Sequence, residues 1–179
     1  MKEYRFYGWE SADAKPINSA GADGRESTGA GVYPGIENAR QLYDALSQLW
    51  CADTCAPRMR AQWTPDNKTL GQCSITAFLA QDIFGGKVCG IPLPDGNYHC
   101  YNVVGDCVFD LTSEQFGEEA KNLVYHSAPQ QPGAPRQPGA PQQPANPEQH
   151  REVHFAKEEK RLRYEKLKAG LAQWCAGRS

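Results

Sequence analysis

The sequence predicts an α+β domain with helices packed on a small antiparallel sheet. Three observations do so. Apolar residues recur at three- and four-residue spacing over 36–50 and again over 73–84. Two short strand-like runs, 98–104 and 107–111, are separated only by Gly105-Asp106, a loop that favours a tight antiparallel hairpin. A charged segment near the end, 151–175, carries Tyr164, Leu167, Leu171 and Trp174 as an apolar stripe along one helix face.

The elements follow in order. Residues 1–35 read as a flexible N-terminal extension. Their aromatic start, 1–8, is suited to an edge strand or to surface packing, and Gly21, Gly24, Gly29 and Gly31 stand among small polar residues after it. The core is expected over 36–126. Ile36, Ala39, Leu42, Tyr43, Leu46, Leu49 and Trp50 predict a helix over 36–50. An irregular stretch, 51–72, contains Pro57, Pro65 and the turn-forming Thr64-Pro65-Asp66-Asn67. A second helix runs from Cys73 to Phe84 and is stopped by Gly85-Gly86. Strands are expected over 87–91, 98–104, 107–111 and 122–126. Thr112 with Gln115 reads as a capping box that starts a helical turn.

Residues 127–149 read as an insert. Prolines fall at every third position from 129 to 147, which lines all seven along one face of a polyproline II helix. The insert is a stiff spacer or a ligand for a proline-reading protein. Residues 150–179 are read as a C-terminal helix packing on the core. They hold eight basic and four acidic residues in a chain whose net charge is −2, and their basic side chains are read as a solvated helix face.

Composition narrows the function classes. A near-neutral chain does not point to nucleic acid. No run approaches the ~18 apolar residues that span a bilayer, and the first residues have no export-signal pattern, so no membrane partner is expected and the localisation is read as cytoplasmic. Seven cysteines, an odd count, then read as free thiols. Cys51 and Cys55 lack a second pair at zinc-finger spacing, so neither a metal nor another cofactor is expected.

The candidate chemistry lies at Cys73, His99 and Asp110. A cysteine is a nucleophile only as thiolate, so its pKa of about 8.5 must be lowered. Cys73 opens a helix whose first-turn N–H groups favour negative charge on sulfur and offer oxyanion donors. With Gly105-Asp106 as the loop, Val104 pairs with Cys107 and Tyr101 lies opposite Asp110. His99 and Asp110 are then diagonal neighbours on one sheet face. In that register Cys100 and Cys107 are not opposite each other and cannot form a cross-strand disulfide. Asp110 would hold the imidazole in the tautomer that takes the thiol proton. Replacing any of the three is expected to leave the fold intact, because groups in a cleft contribute little packing.

Trp63-Thr64-Pro65-Asp66-Asn67, Gly71-Gln72-Cys73, Phe84-Gly85-Gly86, Tyr98-His99 and Asp110-Leu111-Thr112-x-x-Gln115-Phe116 resemble the YunG-like family of bacterial proteins, as does Arg163-Tyr164-x-x-Leu167. The order cysteine, histidine, aspartate further resembles the transglutaminase-like, papain-like superfamily of cysteine enzymes. The resemblance covers about residues 36–126 and the C-terminal helix. It implies a papain-like core and adds Gln72, Trp63 and Asn67 as oxyanion or substrate-positioning candidates. Cys100-Tyr101 after His99 departs from the superfamily's commoner Tyr-Trp or Ala-Trp. Two functions stay open. One is a cysteine-dependent hydrolase or acyltransferase acting on a peptide or small amide or ester. The other is a non-catalytic papain-like binding module or protein-interaction domain.

Overall fold

The structure is a computed structural model that describes residues 4–8, 33–125 and 146–178. Most of the expected N-terminal extension, the proline tract up to residue 145, and His126 lie outside the described residues. The elements run α1 (Ala39–Leu46), α2 (Cys73–Phe84), β1 (Lys87–Pro92), β2 (Tyr98–Val104), β3 (Cys107–Phe109), α3 (Arg151–Phe155) and α4 (Glu158–Ala176), with 3-10 segments at Pro57–Gln62 and Ser113–Asn122. The fold is α+β, built on one antiparallel sheet in the order β1-β2-β3.

The hairpin takes the expected register, with Val104 opposite Cys107 and Asn102 opposite Phe109. On the other side β1 pairs with β2 from Lys87–Val103 to Pro92–Tyr98. One side of the sheet carries α2, and the bond from Asn102 Nδ2 to the Ala77 carbonyl, 2.8 Å, pins helix to strand. Ile75, Phe78, Leu79 and Ile83 of α2 enter a core shared with Leu42 and Leu46 of α1, Cys100 and Val104 of β2, and Leu167 and Leu171 of α4. A smaller cluster on the opposite side gathers Cys89, Ile91, Tyr101 and Val108 under Leu123 and Tyr125.

Several element boundaries differ from the expectation, each for a local reason. The first helix starts at Ala39 because Asn38 caps it, its side chain accepting from the Gln41 N–H at 2.9 Å. The expected strand 122–126 is absent from its described residues; Leu123–Tyr125 leave a 3-10 segment as irregular chain and cover the smaller cluster. The final helix is two helices, broken at Ala156-Lys157. The capping box at Thr112 does not form: Gln115 N–H donates to the Thr112 carbonyl, and Thr112 N–H donates to Asp110. The aromatic start does join the sheet at one point: Asp110 N–H donates to the Tyr7 carbonyl at 3.0 Å, and Phe6 is buried in the core.

The end of the expected insert is part of the fold. Gly90 N–H donates to the Pro147 carbonyl at 3.0 Å and Gln149 N–H to the Val88 carbonyl at 2.8 Å, so residues 147–149 cover the free edge of β1. Gly90 is required for this approach, since a Cβ there would stand 2.6 Å from Gln149 Nε2. Asn146 Nδ2 bonds the Val124 carbonyl at 2.8 Å and the Tyr101 hydroxyl at 3.0 Å. Boundaries of 127–149 therefore reach too far by these four residues.

α3 and α4 are tied to α2 through Arg151. Its guanidinium bonds the Phe78 carbonyl at 3.0 Å and the Tyr164 hydroxyl at 3.1 Å, and pairs with Asp82. Tyr164 also donates to Asp82. The stripe 164, 167, 171 is buried as expected. Leu171→Ala should therefore cost about 2–5 kcal/mol in urea unfolding; a cost near zero would show that α4 is an appendage.

Candidate active site

Cys73 is presented by a sharp entry into α2. Gly71 has φ +70°, and a Cβ there would meet Cys55 Sγ at 2.7 Å and Ala56 N at 2.9 Å. The Gly71 carbonyl accepts from Ala56 N–H at 3.0 Å and from Arg163 Nη1 at 3.4 Å, while Gly71 N–H donates to Gln115 Oε1 at 3.3 Å. Arg163 is buried, and also bonds the Thr54 carbonyl at 3.1 Å and Glu159 at 2.9 Å. The turn before the cysteine is thus fixed from α4 and from the 3-10 segment after β3.

His99 and Asp110 are brought together as the register requires. His99 Nε2–H donates to Asp110 Oδ2 at 2.5 Å, with both side chains 1% exposed. Asp110 takes three more donors: Tyr125 hydroxyl at 2.8 Å on the same oxygen, and Thr112 N–H at 3.0 Å and hydroxyl at 3.2 Å on the other. The edge of Phe116 meets the His99 ring at 4.7 Å. The pairing of Nε2 with Asp110 leaves Nδ1 as the other ring nitrogen, and His99 lines the same cleft as Cys73.

Three groups favour the Cys73 anion. The Cys100 thiol donates to its sulfur, against the opposing effect of burial; His99 adds a hydrogen bond and a positive charge, and the Cys100 backbone N–H a further bond. Together they hold the Cys73 thiol well below its ordinary range, and the same donation pushes the Cys100 thiol up. On His99, burial works to lower the pKa, but the charge and bond of Asp110 and the contact with Cys73 outweigh it and raise it to about 10. Both shifts run toward the thiolate on Cys73 and the imidazolium on His99.

Cys73, Ser74 and His99 line a cleft of about 700 Å³, whose walls include Met59, Tyr98, Phe116, His154 and Lys160. Three sequence candidates do not reach it. Gln72 is fully buried and its amide donates to the Cys51 carbonyl at 3.1 Å. The Trp63 indole N–H bonds the Lys68 carbonyl at 3.0 Å, and Asn67 closes the turn back to Thr64. Their part is to shape the 51–72 loop. The basic side chains of the tail, expected to be a solvated face, include three that line the cleft: Lys157, Lys160 and Arg163. Tyr125 and Cys100 were missed by sequence reasoning. The strand register places Cys100 beside His99, but nothing in the spacing marks Tyr125 as a partner of Asp110.

The profile described as "YunG protein" matches residues 38–175. The chain belongs to the YunG family. It is 41% identical over 71 residues to YunG of Bacillus subtilis (strain 168), a match that covers 40% of this chain and 56% of that relative. No solved structure matches the chain. Cys51, Cys55, Cys73, Cys100 and Cys107 are free thiols, and no helix among the described residues is long and apolar enough to cross a membrane.

His99 and Asp110 are both buried, so replacements there are expected to act on folding as well as on the site. Asp110→Ala leaves four buried donors without their acceptor and should cost about 3–5 kcal/mol in denaturant unfolding. Tyr125→Phe, which removes a single donor, should cost about 1–3 kcal/mol. A neutral result for Asp110→Ala would show that the carboxylate is not an organising contact.

Proposed function

We propose that the protein is a cysteine-dependent hydrolase or acyltransferase of papain-like or transglutaminase-like architecture, acting on an amide or ester bond. The observation that supports this reading most is the buried His99–Asp110 pair, 2.5 Å apart, with His99 and Cys73 lining one open cleft. In this reading the Cys73 thiolate attacks the carbonyl carbon, a C–S bond forms, and the carbonyl π pair moves onto oxygen. The N–H groups of the first turn of α2, which have no acceptor within the helix, face that oxyanion. As the intermediate collapses, His99 gives its proton to the departing amine or alkoxide, leaving a thioester on Cys73. Water or an acceptor amine then attacks the thioester, and His99 takes the proton of the new nucleophile. The C–S bond breaks and the thiolate returns. Asp110, held by Thr112 and Tyr125, keeps the imidazole oriented throughout.

Iodoacetamide labelling followed by peptide mass spectrometry tests the nucleophile. Near pH 7 Cys73 should be alkylated fastest of the seven cysteines. Its rate should rise with pH through a midpoint below the ~8.5 of a free cysteine, since both the Cys100 thiol and His99 favour the anion. His99→Ala removes a cation beside the thiolate and should move that midpoint upward; Asp110→Asn should move it less. Seven thiols of ordinary and equal reactivity would sink the catalytic reading and leave a binding module in its place.

A further inference from the structure

The wall of the cleft contributed by the C-terminal helices carries a cation held in place by a relay that does not end on a carboxylate. Gln149 is fixed against the edge of β1 by its backbone bond to Val88. Its Oε1 accepts from His154 Nε2–H at 3.0 Å, and His154 Nδ1 accepts from the Lys160 ammonium at 3.0 Å. This tautomer requires a neutral imidazole. Burial first, and then the charge of Lys160, keep His154 neutral by lowering its pKa to about 4. The ring is further fixed by its edge-on contact with Phe78, at 5.1 Å between centroids.

Lys160 has three N–H groups, of which one goes to His154. The other cations on the cleft differ from it. Arg58 pairs with Asp95 at 3.2 Å and Arg163 with Glu159 at 2.9 Å. Lys157 sits on the exposed rim. Among the described residues no carboxylate forms an ion pair with Lys160. Lys160 lines the same cleft as Cys73 and His99, on the wall formed by the C-terminal helices.

We propose that Lys160 is a specificity residue for the reaction above, and that the cleft takes amide or ester substrates bearing a carboxylate close to the bond that reacts with Cys73. The inference rests on the nucleophile reading and names the substrate class of that same site. Two remaining N–H groups of an ammonium suit the two oxygens of one carboxylate. A phosphate is matched instead by several converging donors, and here the arginine that lines the cleft beside Lys160 is already committed to Glu159 and to backbone carbonyls. Neutral His154 serves as a positioning residue, since it aims the ammonium without adding charge.

A pair of alkylating probes separates this from thiol activation. Iodoacetate and iodoacetamide react by the same step: the Cys73 thiolate attacks the methylene carbon, the S–C bond forms, and the C–I bond breaks with iodide leaving. Any change in thiolate fraction alters both rates equally, so their ratio reads only the attraction for the carboxylate. The wild-type ratio at Cys73, measured by peptide mass spectrometry on the full chain, should exceed that of glutathione in the same buffer by about tenfold. Lys160→Gln and Lys160→Met, one polar and one apolar, should each remove most of that excess, and Lys160→Arg should keep it. A ratio in the charge-free variants within about twofold of wild type would overturn the proposal. If Cys73 reacts with iodoacetamide no faster than glutathione does, the nucleophile reading falls, yet the ratio across the variants still decides whether Lys160 binds a carboxylate.

Discussion

A buried carboxylate must be met by donors or the fold does not hold, and Asp110 is where that constraint acts here. Four donors from three parts of the chain converge on its two oxygens: His99 of β2, Thr112 just after β3, and Tyr125 beyond the 3-10 segment. Its own N–H goes to Tyr7 near the start of the described chain. One residue thus joins the aromatic N-terminal residues, the centre of the sheet and the segment that covers its outer side. The same contacts leave the His99 ring little freedom to rotate. Stability and site geometry share one set of bonds, so a change at Asp110 acts on both.

The hairpin shows what was legible. A two-residue loop fixes the pairing of every following residue, because side chains alternate with period two. Placing Gly105-Asp106 at the turn therefore placed His99 beside Asp110 before any coordinates. Helix α2 was legible because its apolar spacing is uninterrupted between two glycine signals. The Thr112 expectation failed because the sequence pattern records which donors are present and not which acceptor is nearest. Asp110 Oδ1 takes the Thr112 N–H that the Gln115 side chain would have met in a capping box, and Gln115 N–H goes to the Thr112 carbonyl. Trp63 and Asn67 were drawn in by a recurring sequence pattern, and a pattern of this kind marks a turn as readily as a site. Tyr125 and Lys160 were out of reach for another reason. Each meets the centre across a long sequence separation, from elements whose placement depends on tertiary packing.

The C-terminal helices show how far that packing carries function. The stripe of Tyr164, Leu167 and Leu171 reads as docking, and docking brings the opposite end of the same helix to the cleft. Arg163 then holds the turn before Cys73 by two backbone carbonyls. The acidic body and basic tail seen in the charge distribution meet as individual pairs, such as Arg151 with Asp82 and Lys166 with Asp53 at 2.7 Å. An exposed pair such as Lys166–Asp53 contributes little, whereas the half-buried Arg151–Asp82 pair and the buried apolar stripe hold the helices to the body.

Asn146 has a consequence for the chain that precedes it. Its amide grips Val124, so the chain is held at nearly the same spot on either side of the stretch 126–145. Whatever lies between two such neighbouring anchors is free to lengthen or shorten without moving them. For a flexible loop, doubling its length costs only about 0.6 kcal/mol of closure entropy. The two anchors, and not the interval between them, fix where the chain re-enters the fold beside the sheet.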